Sequence, residues 1–215
     1  MTFYRIALLA LLAALATLQG CFEAAVVGAA GAGVMSFEDR RTSGTQVEDE
    51  GIALRAANRI NERFGERVHV NVTSFNRAAL MTGEVADEKT KAELEKLVLA
   101  VPNVRSVANE VQVAGLSSLG SRSNDAFITS KVKARLLDSN KVNPIHVRVV
   151  TEASVVYLMG LLTEQEGNAA VEVARTTAGV RKVVRIIELC KASDEPCRPR
   201  PKPQGEEPKA KSASP

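Results

Sequence analysis

The residues best suited to chemistry in this 215-residue sequence are three cysteines and two histidines. His69 and His146 each stand between aliphatic residues of a predicted strand, so alternation places both imidazoles on the face opposite the aliphatic side chains. Neither has an acidic or cysteine partner at metal-ligand spacing in the sequence. The chain also contains no Gly-X-Ser-X-Gly, phosphate-loop or His-Glu-X-X-His motif. We therefore expect surface histidines, no catalytic residues, no metal site and no cofactor.

Cys21 is the cysteine with a recognisable chemical context. Arg5 precedes an apolar run over residues 6–16, and Leu18-Gln19-Gly20 leads into Cys21, which is typical of a cleaved signal peptide. The ending resembles a lipobox, in which the cysteine thiol receives a diacylglycerol. The alternative is an ordinary signal peptide with a chance cysteine. Because Phe22 rather than aspartate follows Cys21, we expect retention in the outer membrane, facing the periplasm.

Cys190 and Cys197 are separated by six residues at the end of the predicted folded part. In an oxidising envelope compartment two cysteines this close are able to close a small loop. We expect a disulfide bond between them. No further Cys or His cluster lies nearby to make them a metal pair.

Charge and composition argue against polyanionic partners. The chain has 28 basic and 25 acidic residues, and removal of residues 1–20 takes away one arginine and no acid. The mature protein is thus nearly neutral. With no Trp, two Tyr and six Phe, it offers little aromatic surface for stacking bases. We expect neither a nucleic-acid partner nor a small-molecule substrate.

An internal repeat organises the rest of the chain. The segment 68–72 recurs at 145–149, 80–83 at 157–160 and 104–107 at 180–183, always at the same spacing to within a single position. Three ordered matches at one spacing indicate a duplicated unit. The predicted division is a signal peptide 1–20, an anchor-proximal linker 21–47, domains 48–114 and 124–190, a linker 115–123, and a disordered Pro/Lys-rich tail 191–215.

Each unit has the pattern of an αββαβ domain. Apolar residues at fourfold spacing predict an opening helix, with Ile52, Ala56 and Ile60 in the first copy and Ile128, Val132 and Leu136 in the second. Alternating runs predict hairpins at 67–73 with 78–84 and at 145–151 with 155–161. Helices follow at 88–100 and 164–177, the later one opened by a Thr163/Glu166 capping box. Last strands at 104–113 and 180–189 complete an α+β fold, with a three-stranded mixed sheet and two helices per unit.

The repeated unit, with its V-x-V strand, a glycine closing the hairpin and a helix leading into V-R-x-V, resembles the BON domain. Two such units behind a lipobox resemble the outer-membrane lipoproteins with two BON domains. Asp39-Arg40-Arg41-Thr42 and the segment 124–129 belong to this resemblance, whereas the long tail departs from it. The resemblance implies a non-enzymatic protein that binds anionic phospholipid through its second domain and maintains outer-membrane integrity. It also implies a link to the β-barrel assembly machinery and to division sites.

A lipid-binding surface is also predicted from the opening helix of the second unit. At 100° per residue, Phe127, Ser130, Ala134 and Leu137 fall opposite the buried stripe, and Lys131 and Lys133 flank them. An apolar stripe bordered by lysines suits the interface of an anionic bilayer. The corresponding positions of the first unit are mostly polar: Gly51, Leu54, Asn58 and Asn61. The alternative is that Phe127 and Leu137 are buried against the first domain or a loop.

Three classes of function follow. The first is a lipid-binding module that maintains the envelope. The second is a protein adapter that docks on the β-barrel assembly or division machinery without binding lipid. The third, an envelope enzyme, is disfavoured because the sequence lacks a cluster of acid, base and nucleophile.

Overall fold

The computed structural model describes residues 39–115, 117–191 and 193–197. The predicted signal peptide, Cys21 and residues 198–215 of the predicted tail lie outside the described residues. Within them, no helix is both long enough and apolar enough to cross a bilayer.

Both repeated units fold as αββαβ domains, which confirms the α+β prediction. The first contains α1 (Ser43–Phe64), β1 (His69–Phe75), β2 (Ala78–Val85), α2 (Glu88–Leu99), β3 (Ser106–Asn109) and β4 (Gln112–Val113). The second contains α3 (Leu119–Ser139), β5 (Val147–Glu152), β6 (Val155–Leu162), α4 (Glu164–Arg175) and β7 (Lys182–Leu189). Short 3₁₀ turns occupy Gly65–Arg67, Pro144–His146 and Glu195–Cys197.

The sheets are mixed, with the second strand of each hairpin at the centre. β2 pairs antiparallel with β1 and parallel with β3 and β4, and β6 pairs in the same way with β5 and β7. The last strand of the first domain is interrupted before Gln112, where the Val111 side chain turns into the core. The second domain keeps its last strand whole.

Both opening helices begin earlier than the sequence predicts. α1 starts at Ser43, inside the predicted anchor-proximal linker, because the Thr42 hydroxyl accepts a hydrogen bond from the Thr45 N–H. α3 starts at Leu119, inside the predicted linker 115–123, and Ser118 caps it in the same way through the Ser121 N–H. The Thr163/Glu166 capping box predicted for α4 is confirmed.

Each domain has its own core between the helices and one face of the sheet. The six residues predicted to face inward from the opening helices are all buried: Ile52, Ala56 and Ile60 in α1, and Ile128, Val132 and Leu136 in α3. Gly83 and Gly160 lie within the central strands rather than closing the hairpin turns. A Cβ at Gly83 would lie 1.9 Å from the His69 carbonyl oxygen, so only glycine permits this close strand approach.

A buried aspartate in each opening helix fixes the hairpin turn beneath it. Asp49 accepts hydrogen bonds from the backbone N–H groups of Asn76 and Arg77 at 2.8 and 2.7 Å. Asp125, its counterpart in the second repeat, accepts them from Ala153 and Ser154 at 2.9 and 2.8 Å. All four turn residues have positive φ angles, the backbone conformation of a tight two-residue hairpin turn.

The two domains pack through the faces of their sheets that carry no helix. A shared apolar cluster contains Phe75 and Leu80 from the first domain with Tyr157, Met159 and Leu161 from the second. Burial raises the pKa of Tyr157 to about 12, with smaller contributions from Glu110 and Glu152, so its phenol remains neutral at physiological pH. The order of layers is therefore helices, sheet, sheet, helices.

The segment before α1 joins the domains at the edge of this interface. Arg40 makes a bidentate ion pair with Glu166 of α4, at 2.7 and 2.9 Å, and donates to the Leu161 carbonyl. Arg41 bonds to Asp39 and Asp49 and lies 4.0 Å from the centroid of the Phe75 ring. The described end of the predicted linker is thus structured, because Arg41 pairs with two buried acids and Arg40 with the half-buried Glu166.

Candidate functional site

Helix α3 carries the surface that the sequence predicts to bind lipid. Its inner stripe is buried in the second domain, whereas Phe127 is 61% exposed and Leu137 is 64% exposed. Ser130, Lys133 and Ala134 are exposed beside them. The alternative interpretation, burial of Phe127 and Leu137 against the first domain or a loop, is therefore wrong. We call the residues Leu119, Phe127, Ser130, Ala134 and Leu137 the outer stripe.

Leu119 is the member of the outer stripe that the sequence interpretation missed. It is 80% exposed. It lies about five full helical turns before Leu137, which puts both on one side of the helix. The Gly/Ser-rich composition of residues 115–123 favoured a linker over a helix start. The signal available in the sequence was Ser118, a preferred N-cap residue. With Leu119 included, the stripe extends for about 27 Å along the helix.

The two lysines of the surface have different surroundings. Lys131 is half-buried; its Nζ lies 4.6 Å from the centroid of the Phe127 ring and donates a hydrogen bond of 2.5 Å to the Ala178 carbonyl. The ammonium is therefore held beside the ring, a geometry that favours cation–π attraction. Lys133 is exposed and lines a groove of about 300 Å³ at the domain boundary, which also contains Arg41, Phe75 and Arg148.

One acidic residue belongs to the same surface. Asp138 is exposed, follows Leu137 directly, and lies four residues after Ala134 on the outer side of α3. Its charge opposes that of Lys131, which lies two turns earlier. The apolar side chains, rather than a strong positive field, are thus the dominant feature of the outer stripe.

The first domain offers an internal comparison. Leu54 of α1 corresponds to Ser130 and is 63% exposed, and Val47, two turns earlier, is 74% exposed, so the outer side of the first helix is less polar than the four compared positions indicate. Its neighbouring cations are engaged with the protein, since Arg55 pairs with Glu48 and Arg59 donates to the Ala100 carbonyl. Leu54 thus lacks the aromatic neighbour and adjacent lysines that accompany the outer stripe of α3.

The histidines differ from the sequence interpretation. His146 lies in the 3₁₀ turn before β5, whereas His69 is the first residue of β1. The helix-free face of β1 contacts the second domain at Phe75, whereas Asn71 on the same face is exposed and His69 is half-buried. There the ligating atoms of His69, Glu84 and Glu152 lie within 4.8 Å of one another. The sequence places no acidic partner at ligand spacing from His69, but the fold brings one from the adjacent strand and another from the next domain.

Cys190 and Cys197 form a disulfide bond in the structure, with their Cα atoms 6.2 Å apart. Cys197 is buried in the cluster shared by the two sheets, and its Sγ lies 3.9 Å from the Leu161 carbonyl oxygen. The first residues of the predicted disordered tail are thus packed against the second domain, because the disulfide and this apolar contact hold them there.

Comparisons with known proteins bear on both repeated units. The sequence profile of the BON domain matches residues 49–115 and 124–191. The chain is 32% identical over 180 residues to outer membrane lipoprotein DolP of Haemophilus influenzae, covering 83% of this chain and 93% of that protein. It is also 32% identical over 151 residues to the 21 kDa hemolysin of Actinobacillus pleuropneumoniae, covering 69% of this chain and 78% of that protein.

Among solved structures, the C-terminal domain of CdsD, a structural protein of the type III secretion system of Chlamydia trachomatis, covers 64% of this chain and 96% of its own length. The TM-score is 0.28 and the sequence identity 14%.

Proposed function

Since this chain belongs to the family of DolP-like lipoproteins with two BON domains, we propose that it is anchored in the outer membrane through Cys21 and binds anionic phospholipid through its second domain. In this role it maintains outer-membrane integrity from the periplasmic side. The Cys21 thiol would take a diacylglyceryl group in thioether linkage, and the α-amine freed by cleavage after Gly20 would then be acylated. Several acyl chains on one residue give stable anchoring.

The observation that carries the proposal is the exposure of the outer stripe. Leu119, Phe127 and Leu137 project from one side of a single helix whose opposite side is fixed in the core. Transfer of one such side chain from water into the interface is worth about 1.5 to 3 kcal/mol. A lysine near an anionic surface contributes about 1 kcal/mol. The Phe127 ring is therefore the largest single contribution that we expect.

Flotation with vesicles of phosphatidylglycerol and phosphatidylcholine tests the proposal. The chain used is residues 22–215, which contains both folded domains but no acyl anchor. Phe127→Glu should reduce the affinity for these vesicles by about tenfold or more, because the carboxylate loses the apolar contact and is repelled by lipid phosphates. Lys131→Ala should weaken binding less, and this loss should shrink at high salt, where charges are screened.

Leu54→Glu is the matched control, since it places the same charge on an exposed apolar position of α1. It should leave flotation unchanged, and thermal unfolding should show that both variants are folded. Unfolding of Phe127→Glu would show that the ring belongs to the core. A folded Phe127→Glu protein that still floats would place the lipid surface elsewhere. A wild-type chain that ignores pure lipid would favour the adapter function, in which the same surface docks on the β-barrel assembly or division machinery.

A further inference from the structure

Three groups with the chemistry of metal ligands meet where the two sheets face each other. His69 and Glu84 are paired residues on β1 and β2 of the first domain, and Glu152 ends β5 of the second. Each offers one ligand atom, and these three atoms all lie within 4.8 Å of one another. The cluster therefore exists only when the domains are packed together.

The internal repeat relates this end of the interface to an equivalent end that is packed with apolar side chains. Counted along the repeat, His69, Glu84 and Phe75 of the first domain correspond to His146, Leu161 and Glu152 of the second. At the other end of the interface, Phe75 and Leu161 belong to the shared apolar cluster. At the end that carries His69, Glu84 and Glu152 occupy the positions equivalent to Leu161 and Phe75. Apolar side chains at these two positions would pack the interface without burying charge.

Among the described residues neither carboxylate is paired with a lysine or an arginine, although Glu84 accepts a hydrogen bond from the Ser117 N–H at 3.4 Å. Glu84 is 5% exposed and Glu152 is 7% exposed. The ion pairs among the described residues all involve other acids. Two carboxylates buried this close together repel each other unless a proton or a cation lies between them, and a metal ion would supply that charge.

We propose that His69, Glu84 and Glu152 bind one divalent transition-metal ion of the Zn²⁺ class and that this ion clamps the two domains together. A ring nitrogen that binds a metal ion carries no proton, so the imidazole adds no charge and the two carboxylates balance a charge of +2. An imidazole ligand favours Zn²⁺ over Mg²⁺ or Ca²⁺, which take oxygen ligands. When three atoms lie within 4.8 Å of one another, there is a point that is no more than about 2.8 Å from each of them. Side-chain shifts of less than about 1 Å then reach Zn²⁺–ligand distances near 2.0 to 2.2 Å.

Calorimetry and thermal unfolding with Zn²⁺ test this site in residues 22–215 without an affinity tag. We expect one Zn²⁺ per chain and a rise in Tm of roughly 5 to 10 °C at a hundredfold excess over Kd. His69→Gln should weaken Zn²⁺ binding on the order of a hundredfold. His146→Gln is the matched control, because it removes the other histidine of the chain and should leave binding unchanged.

Glu152→Gln keeps the shape of the side chain but removes one buried charge. Without metal its Tm should equal or exceed that of the wild type, and Zn²⁺ should no longer raise it. A wild-type Tm that does not respond to Zn²⁺ would overturn the proposal, as would His69→Gln protein that binds Zn²⁺ as tightly as the wild type. An equal response to Mg²⁺ would overturn the assignment to the Zn²⁺ class. None of these outcomes depends on lipid binding.

Discussion

At the scale of single residues, Asp49 and Asp125 connect the opening helix of each domain to the hairpin below it. Each carboxylate accepts two backbone N–H groups from a turn whose residues have positive φ angles. Hydrogen bonds to an ionised acceptor are stronger than neutral ones and satisfy donors that the sheet leaves unpaired. The aspartate thus selects the turn conformation as well as the helix position.

Replacement of Asp125 by alanine should destabilise the second domain. The N–H groups of Ala153 and Ser154 would lose their acceptor in a partly buried turn, which should reduce the free energy of unfolding by about 2 to 3 kcal/mol. Urea denaturation measures the change. Asp138→Ala is the control on the exposed side of the same helix and should change stability by no more than about 0.5 kcal/mol. Equal effects of the two substitutions would contradict the role of Asp125.

The recurrence of this aspartate is visible in the sequence, but its function is not. The repeat spacing marks Asp49 and Asp125 as equivalent, and both stand just before the first buried isoleucine of their helix. Aspartate is ordinarily solvent-exposed, yet this position, one turn before the isoleucine, lies on the buried side of the helix. Only the packing of the helix across the hairpin turn brings the unpaired N–H groups to the carboxylate.

At the scale of elements, α3 shows which parts of a helix its sequence determines. The fourfold spacing of Ile128, Val132 and Leu136 correctly predicts the buried side, and hence the exposure of Phe127 and Leu137. The helix start was not predicted, because glycine and serine favour turns in local sequence while the Ser118 cap acts only when the helix is formed. The missing turn carries Leu119, so the extent of the outer stripe was missed with it.

The longer stripe leads to a prediction about Leu119. Leu119→Glu should weaken binding of residues 22–215 to phosphatidylglycerol vesicles, by about tenfold, because a leucine side chain inserted into the interface is worth at least about 1.5 kcal/mol. The effect should be smaller than that of Phe127→Glu, which also disturbs the lysine beside the ring. Flotation measures both, with Leu54→Glu as reference. Unchanged binding of Leu119→Glu would mean that the first turn of α3 stays outside the lipid interface.

At the scale of the whole molecule, the packing of one sheet on the other was the feature that sequence analysis did not provide. The alternation of apolar and polar residues in β1 is compatible with one face of the strand being exposed to solvent. An exposed face would make His69 a surface residue. β6 carries a contrary signal, since Val155–Leu162 reads VVYLMGLL and is buried along its whole length. A continuous apolar run is typical of a strand covered on both faces. The apolar run of β6 therefore indicates that something covers the second face of this strand, but it does not identify the first domain as the covering element.

The contact between Arg40 and Glu166 joins the two domains, and we expect it to weaken in acid. Arg40 precedes α1, whereas Glu166 belongs to the first turn of α4, and their side chains are only 12% and 20% exposed. Burial alone would raise the pKa of Glu166, but hydrogen bonds from Arg40 and Thr163 outweigh it, so the pKa lies below the ordinary value of 4.5. The charged form is thus favoured in the folded protein.

Because the folded pKa is depressed, the stabilisation is fully present above the unfolded pKa and is lost as the pH falls through the folded pKa. Glu166→Gln should therefore reduce the free energy of unfolding at pH 7 by about 1 to 3 kcal/mol. The difference from the wild type should shrink as the pH falls below about 4.5, because protonation removes the same charge. Urea denaturation at a series of pH values from 7 to 3 measures this difference in the free energy of unfolding.

Glu164→Gln, which changes an exposed acid in the same helical turn, should differ little from the wild type at any pH. A constant difference between Glu166→Gln and the wild type across this range would mean that the Arg40 contact does not depend on the charge of Glu166.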